Sequence, residues 1–171
     1  KDKYEGGMSN IPATANWIYR RNEDGNPRVG SNDFFYPNLT FENTTTTSYS
    51  WDASTTTAFN GTNGITVKGN LNIGTTGTSA CHVSNINTQP MLILGNTNIA
   101  TGSSLVNKAA TGNVYGTGFE FRGNVQVDGT LDVTNESSTR TVLFSGTTDQ
   151  VISGIGELKA YNLTVNKTSG N

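Results

Sequence analysis

The sequence predicts an all-β protein, and in particular a right-handed parallel β-solenoid, for three reasons. Short runs in which apolar and polar residues alternate are typical of strands that bury one face. No segment shows helical periodicity, and the abundance of Gly and Thr disfavours helices. A tetrapeptide that begins with Asn, and is apolar at its fourth position, recurs five times, beginning at Asn38, Asn70, Asn96, Asn124 and Asn162.

The recurrence of this tetrapeptide favours a solenoid, because each coil of a solenoid places like residues over like. The steps between the leading Asn residues are unequal, and the longest, from Asn124 to Asn162, predicts a long connection or an extra short turn. The five Asn side chains are predicted to form a structural ladder, each amide bonding to the next coil. An antiparallel β-sandwich of about seven strands is the alternative, although it gives no reason for the recurrence.

Three of the five copies have a Gly directly before the Asn, at Gly69, Gly95 and Gly123. Each Gly-Asn pair is predicted to form a corner or bulge between two short strands, because both residues tolerate left-handed backbone. Further strands are predicted at Thr130–Val133 and Thr141–Phe144, and another over residues 151–152.

The composition excludes several classes of protein. Thr, Asn, Gly and Ser supply 83 of the 171 residues, only 14% are charged, and the formal net charge is -2. No apolar run approaches the roughly 20 residues of a spanning helix, so membrane insertion is not expected. No basic stripe is present, so a nucleic-acid partner is not expected. The small net charge also argues against disorder.

The charged residues are concentrated near the start of the chain. Residues 1–43 contain 11 of the 24 charged side chains. We therefore predict an irregular or capping N-terminal segment over residues 1–33 and a solenoid domain over residues 34–171. The chain does not begin with Met, and we expect it to be an internal piece of a longer protein.

Four aromatic residues lie close together in a polar stretch of the sequence. Aromatic rings in an exposed row on a rigid β surface would suit a glycan chain, which predicts a carbohydrate site. The alternative is that these rings anchor the first coils and cover the end of the core, since aromatic side chains bury the largest apolar area. The candidates are Tyr36, Tyr49, Trp51 and Phe59.

Two carboxylates and one thiol are the other candidates for chemistry. Asp128 and Asp132 lie four residues apart on a predicted strand, so both can face one side and bind calcium. A solvated structural role is the alternative, because calcium takes about six to eight oxygen ligands. Cys81 and His82 are the only residues of their kinds, and neighbours on a strand point apart. The sequence therefore predicts no enzyme and no cofactor other than this calcium.

The C-terminal part of the chain resembles a repeat of large secreted and cell-surface proteins of the Bacteroidetes. Three runs carry the resemblance, and they are similar to the pattern V-x-F-x-G, Q-x-I-x-G and F-x-N-L-T-V-N of that repeat. These runs are Val142–Gly146, Asp149–Gly154 and Tyr161–Lys167. A further stretch, Phe35–Phe41, resembles the last of the three, and the resemblance extends over roughly residues 34–171.

The resemblance implies a β-helical stalk or adhesin that the type IX secretion pathway exports to the cell surface or the medium, as in some gliding bacteria. Its implied partners are neighbouring modules of the same polypeptide, a surface polysaccharide and the secretion machinery. The predicted function is therefore structural and adhesive. A carbohydrate-binding module is one alternative. A polysaccharide lyase or hydrolase is the other, and it depends on fold analogy alone.

Overall fold

The computed structural model describes residues 12, 14–21, 35–44, 49–51, 65–75, 79–85, 90–107, 118–134 and 141–170. The described secondary structure is a succession of short strands. No helix that is long and apolar enough to cross a membrane occurs in these ranges. The strands are β1 (Asn16–Arg21), β2 (Phe35–Tyr36), β3 (Asn38–Asn43), β4 (Tyr49–Trp51), β5 (Thr66–Val67), β6 (Leu71–Ile73), β7 (Cys81–Ser84), β8 (Met91–Ile93), β9 (Thr97–Ile99), β10 (Ser104–Val106), β11 (Gly118–Phe121), β12 (Val125–Val127), β13 (Thr130–Val133), β14 (Thr141–Gly146), β15 (Ile152–Ser153), β16 (Glu157–Ala160) and β17 (Asn162–Lys167).

The strands form three parallel sheets around one core. Sheet 1 has the order β1-β3-β6-β9-β12-β15, sheet 2 the order β4-β7-β10-β13-β16, and sheet 3 the order β2-β5-β8-β11-β14-β17. From β2 onwards the chain visits sheet 3, sheet 1 and sheet 2 in turn, so every three strands make one coil. The predicted parallel β-solenoid is confirmed. The antiparallel sandwich is wrong, because the described strand pairs are parallel.

The core consists of columns in which the register stacks one apolar residue on another. In sheet 2, Val83, Leu105 and Leu131 follow one another in adjacent strands and are fully buried. In sheet 3, the rings of Phe121 and Phe144 pack on each other from β11 to β14 in a tilted pair, with 5.7 Å between their centroids. Alternate residues of each strand point inward, so the period-2 pattern in the sequence becomes a continuous apolar interior.

The N-terminal segment differs from the expectation. Residues 16–21 form β1, which pairs with β3 over six residues and extends sheet 1 by one strand. Its Trp17 and Tyr19 pack against the core, and the Tyr19 ring stacks on Phe41 at 5.4 Å. Within the predicted irregular or capping segment over residues 1–33, the stretch Asn16–Arg21 is therefore a regular strand that continues sheet 1. The outward residue Ile18 is apolar, so the alternation that marks a strand was hidden.

A polar residue, Thr97, interrupts an apolar column of sheet 1, and this gives the first prediction. Thr97 lies between Leu71 and Val125 in sheet 1, is fully buried, and its Oγ1 has no hydrogen-bond partner among the described residues. Replacing the buried hydroxyl with a methyl group removes an unpaired polar atom, so Thr97→Val should raise the free energy of unfolding by about 1 kcal/mol. The matched control is Thr40→Val, which removes the acceptor of the Asn72 Nδ2 bond and should not stabilise. Urea unfolding measures both, and equal effects would contradict the assignment.

Candidate functional site

A ladder of Asn side chains runs along the corner at which the chain passes from sheet 3 to sheet 1. The backbone N–H of Asn70 donates to Asn38 Oδ1 at 2.8 Å, that of Asn96 to Asn70 Oδ1 at 2.9 Å, and that of Asn124 to Asn96 Oδ1 at 3.0 Å. Each rung therefore joins one coil to the next. At the start of the ladder, Asn38 Nδ2 donates to the carbonyl oxygen of Ala15 at 3.1 Å.

The fifth predicted member does not belong to this ladder. The last rung is the bond from the backbone N–H of Val151 to Asn124 Oδ1, at 2.9 Å, and Val151 lies 27 residues after Asn124. Asn162 begins β17 in sheet 3, where it is in register with Thr141. The prediction for Asn162 is wrong because its tetrapeptide starts a strand of a different sheet. The long step from Asn124 to Asn162 does contain an extra turn.

A second row of polar side chains lies on the outer face of sheet 1, two residues further along each strand. Asn72 Nδ2 donates to Thr40 Oγ1 at 3.2 Å, and Asn98 Nδ2 donates to Asn72 Oδ1 at 2.9 Å. Gln126 continues this column in register, but its Nε2 donates to Asp128 Oδ2 instead. The corner ladder and this row together form an amide-rich surface whose polar groups bond to neighbouring coils.

The ladder gives a second prediction. Asn96→Ala should lower the free energy of unfolding by about 1 kcal/mol, because the backbone N–H of Asn124 loses its acceptor in the protein and must form a hydrogen bond with water instead. Asn96→Asp keeps an acceptor oxygen at the same place and should lose less. Urea unfolding of the two variants measures the difference. A loss for Asn96→Asp as large as that for Asn96→Ala would show that the acceptor contributes nothing.

The aromatic candidates do not form an exposed row on the described residues. Tyr36 is only 1% exposed; its hydroxyl lies 3.3 Å from that of Tyr19, and its ring meets Trp17 edge to face. The prediction of Tyr36 as a sugar platform is wrong, because the ring belongs to the core and covers its first coil. Tyr49 and Trp51 lie in β4, but their side chains, like the whole of Phe59, fall outside the described part of the structure.

Phe35, which precedes Tyr36, is the aromatic residue whose ring is exposed. Phe35 is 43% exposed on the outer face of sheet 3, because alternate residues of β2 point to opposite sides. The Lys68 ammonium group lies 5.0 Å from the centroid of this ring, which is a cation–π contact. The three consecutive aromatic residues from Phe34 to Tyr36 offered no alternation from which to choose the outward one.

The two carboxylates do not share one strand. Asp128 lies in the turn between β12 and β13, whereas Asp132 lies within β13. The prediction of one strand is wrong because the chain turns at Gly129 and passes from sheet 1 to sheet 2. Asp128 Oδ1 accepts the backbone N–H of Ile155 at 3.3 Å. Asp132 Oδ1 accepts the N–H and the hydroxyl of Thr134 at 2.9 and 2.6 Å. Among the described residues, no three His, Cys, Asp or Glu side chains group as metal ligands.

Cys81 and His82 point to opposite faces of β7, as predicted. Cys81 is fully buried in the core, and burial raises the pKa of its thiol to about 12. The thiol therefore stays protonated and weakly nucleophilic at neutral pH. His82 lies on the outer face, where its Nδ1 is hydrogen-bonded to Ser104 Oγ at 2.9 Å.

A further set of buried Asn residues was missed by the sequence reasoning. Asn85 and Asn107 follow β7 and β10 in adjacent coils and are both buried. Asn85 donates its N–H to the carbonyl of Val106 at 2.7 Å, and its Nδ2 donates to the carbonyl of Gly118 at 3.1 Å. The available signal was their common position, two residues after a core residue of sheet 2.

No protein-family model, curated protein or solved structure matched this chain when it was compared with them.

Proposed function

We propose that this chain is a rigid, non-catalytic structural module of an extracellular bacterial surface protein. The observation that carries the proposal is the Asn ladder, in which exposed amides bond to the next coil rather than converge on a site. Such bonds, added to the backbone ladders of three sheets, resist shear between coils. A rod of this kind transmits force and holds other modules apart from the cell.

The extracellular and adhesive parts of the proposal are supported by the sequence. The runs Val142–Gly146 and Tyr161–Lys167 resemble the repeat of the Bacteroidetes surface proteins. As part of the proposal, we extend to this chain the export of those proteins through the type IX pathway and their role in gliding adhesion. The implied partners are neighbouring modules of the same polypeptide and surface polysaccharide. The abundance of Thr and Asn supplies a polar surface for a long rod in water.

The test of rigidity is a distance measurement along the outer face of sheet 1. Ile18 and Ser153 stand in one column, at the two ends of the six strands of this sheet. Five steps between strands predict about 24 Å between the two Cα atoms. A chain that carries both Ile18→Cys and Ser153→Cys is spin-labelled at the two cysteines and diluted with unlabelled chain. Double electron–electron resonance should then give one narrow distribution of distances between the two labels.

The unsubstituted chain is the control for this measurement, because its buried Cys81 should not react with the label. A broad distribution, with coils sliding or fraying between the labels, would contradict a load-transmitting role.

Carbohydrate binding is a second candidate function, and the exposed ring of Phe35 favours it. The test is depletion of the chain from solution by a panel of insoluble polysaccharides, with and without calcium. Saturable loss that Phe35→Ala abolishes would support this function, and the control Leu94→Ala removes another exposed side chain that follows β8 of the same sheet. Calcium dependence would implicate Asp128 and Asp132. No depletion would contradict carbohydrate binding and leave the structural proposal unchanged.

A further inference from the structure

Two rows of uncharged, hydrogen-bonding side chains run side by side along sheet 1 from β3 to β12. The first is the corner ladder, and the second is the row on the outer face, roughly 7 Å further along the strands. Within each row, neighbouring residues are separated by the strand spacing of about 4.8 Å. We call the two together the double row, which consists of Asn38, Asn70, Asn96 and Asn124 at the corner and of Thr40, Asn72, Asn98 and Gln126 on the face.

The corner ladder leaves a set of fixed amide donors. Asn70, Asn96 and Asn124 are exposed, and each accepts a backbone N–H of the next coil through its Oδ1. That bond holds the amide in place, yet none of the three Nδ2 groups donates a hydrogen bond to another described residue. Three donors with the same orientation and an even spacing therefore line the corner. Because they are already ordered, they lose little conformational entropy when they bind a ligand.

The outer row adds an acceptor beside these donors. Asn98 Nδ2 donates to Asn72 Oδ1, which fixes the Asn98 amide in turn. Asn98 Oδ1 receives no hydrogen bond from Gln126, the next side chain in the row, because Gln126 donates to Asp128 instead. The double row thus presents ordered donors and an ordered acceptor on one uncharged surface.

We propose that the double row binds a neutral, extended, β-linked polysaccharide that lies along the long axis of the solenoid. Sugar hydroxyl groups are uncharged and both donate and accept hydrogen bonds, so they are matched by amides. An extended β-1,4-linked chain advances per sugar by close to the strand spacing, so successive sugars meet equivalent Asn side chains. The double row offers no cation to a nucleic acid or an acidic polysaccharide and no apolar anchor to a protein.

This inference goes beyond the structural role proposed above, because it assigns a site, a class of ligand and a direction of binding. It also differs from the carbohydrate candidate at Phe35. That ring lies on sheet 3, whereas the double row lies on sheet 1 and its corner. The two sites are therefore separable by substitution.

The test is isothermal titration calorimetry of the chain with cellohexaose, a soluble chain of β-1,4-linked glucose. Maltohexaose is the ligand control, because its α-linked chain of the same sugar curls and loses the match to the strand spacing. Cellohexaose should bind about tenfold more tightly, since the curled chain reaches fewer of the evenly spaced donors. High salt should leave this affinity unchanged, because no ion pair contributes to it.

The variant that tests the donors carries both Asn70→Asp and Asn124→Asp. It replaces two Nδ2 groups with carboxylate oxygens but keeps the Oδ1 acceptors of the ladder, and it should bind cellohexaose about tenfold more weakly. The matched control is Asn162→Asp, which makes the same change in the copy of the tetrapeptide that lies on sheet 3 and should leave the affinity unchanged. Asn98→Arg leaves the ladder intact, places a long side chain across the outer row and should also weaken binding. Circular dichroism verifies that each variant folds.

Four results would overturn the inference: no binding of cellohexaose, equal binding of the two glucans, an unchanged affinity of the double Asp variant, or an equal loss for Asn162→Asp. Binding that Phe35→Ala abolishes but that the double Asp variant and Asn98→Arg retain would also overturn it, because the sugar would then lie on sheet 3. The spin-label distance is measured without any sugar, so the structural role is tested separately.

Discussion

Leu131→Ala should lower the free energy of unfolding by about 3–4 kcal/mol, whereas Leu163→Ala should lower it by less than about 1 kcal/mol. The substitution is the same, but the surroundings differ. Leu131 is fully buried in sheet 2, with Leu105 and Leu158 as its neighbours in the adjacent coils. Truncating Leu131 leaves a cavity in the core that is enclosed by the coils on both sides. Leu163 lies on the last strand, is half exposed and has no described coil beyond it.

Urea unfolding measures both losses. Hydrogen exchange adds the location of the damage, because each coil of a solenoid contacts only its neighbours. Leu131→Ala should reduce protection first in β13 and in the adjacent strands β10 and β16. Equal losses for the two variants would contradict the open end of the solenoid, because Leu163 would then be as buried as Leu131.

The fold could be predicted from the sequence because stacked residues share one environment. Asn70, Asn96 and Asn124 occupy the same corner in successive coils, so the same residue suits each position. The repeat in the sequence is therefore a repeat in space, and the ladder follows from it. The register of the sheets follows too, since the residues after each Asn are those that pair in sheet 1.

The assignment of a strand to one particular sheet could not be predicted in the same way. An apolar–polar–apolar pattern looks alike in all three sheets, because each has one face on the same core. Asn162 therefore matched the ladder tetrapeptide although β17 belongs to sheet 3. The same ambiguity placed Asp128 and Asp132 on one strand, where the chain in fact turns. Local periodicity predicts which residues face inward, but the corner at which the chain turns depends on contacts with the coil below.

The corner glycines show how a correct prediction can have the wrong reason. The Gly-Asn pairs do lie between a strand of sheet 3 and a strand of sheet 1, as predicted. However, Gly69, Gly95 and Gly123 are not among the glycines with positive φ. They are needed because their backbones stack closely. A Cβ on Gly123 would lie 2.3 Å from the carbonyl oxygen of Gly95, and this contact is not visible in a sequence.

Gly95→Ala should therefore lower the free energy of unfolding by about 3 kcal/mol, through a clash between coils rather than through backbone strain. The added Cβ would lie 2.5 Å from both the carbonyl carbon and the oxygen of Gly69. Backbone atoms cannot rotate away as a side chain can, so the two coils must separate. Separation also lengthens the adjacent rung, in which Asn96 donates its N–H to Asn70 Oδ1.

Gly102→Ala is the matched comparison, because at this position the added side chain meets no clash between coils but the backbone is strained. Gly102 has a φ of 75°, and the nearest atom to an added Cβ is Ala80 Cβ at 3.8 Å, so there is room but the backbone is left-handed. This substitution should cost about 1 kcal/mol. Urea unfolding of both variants decides between the causes. A larger loss of stability for Gly102→Ala would mean that the left-handed backbone conformation decides where glycine is required. A larger loss for Gly95→Ala, with lowered hydrogen-exchange protection in β6 and β9, would mean that the spacing of the coils requires a residue without a side chain.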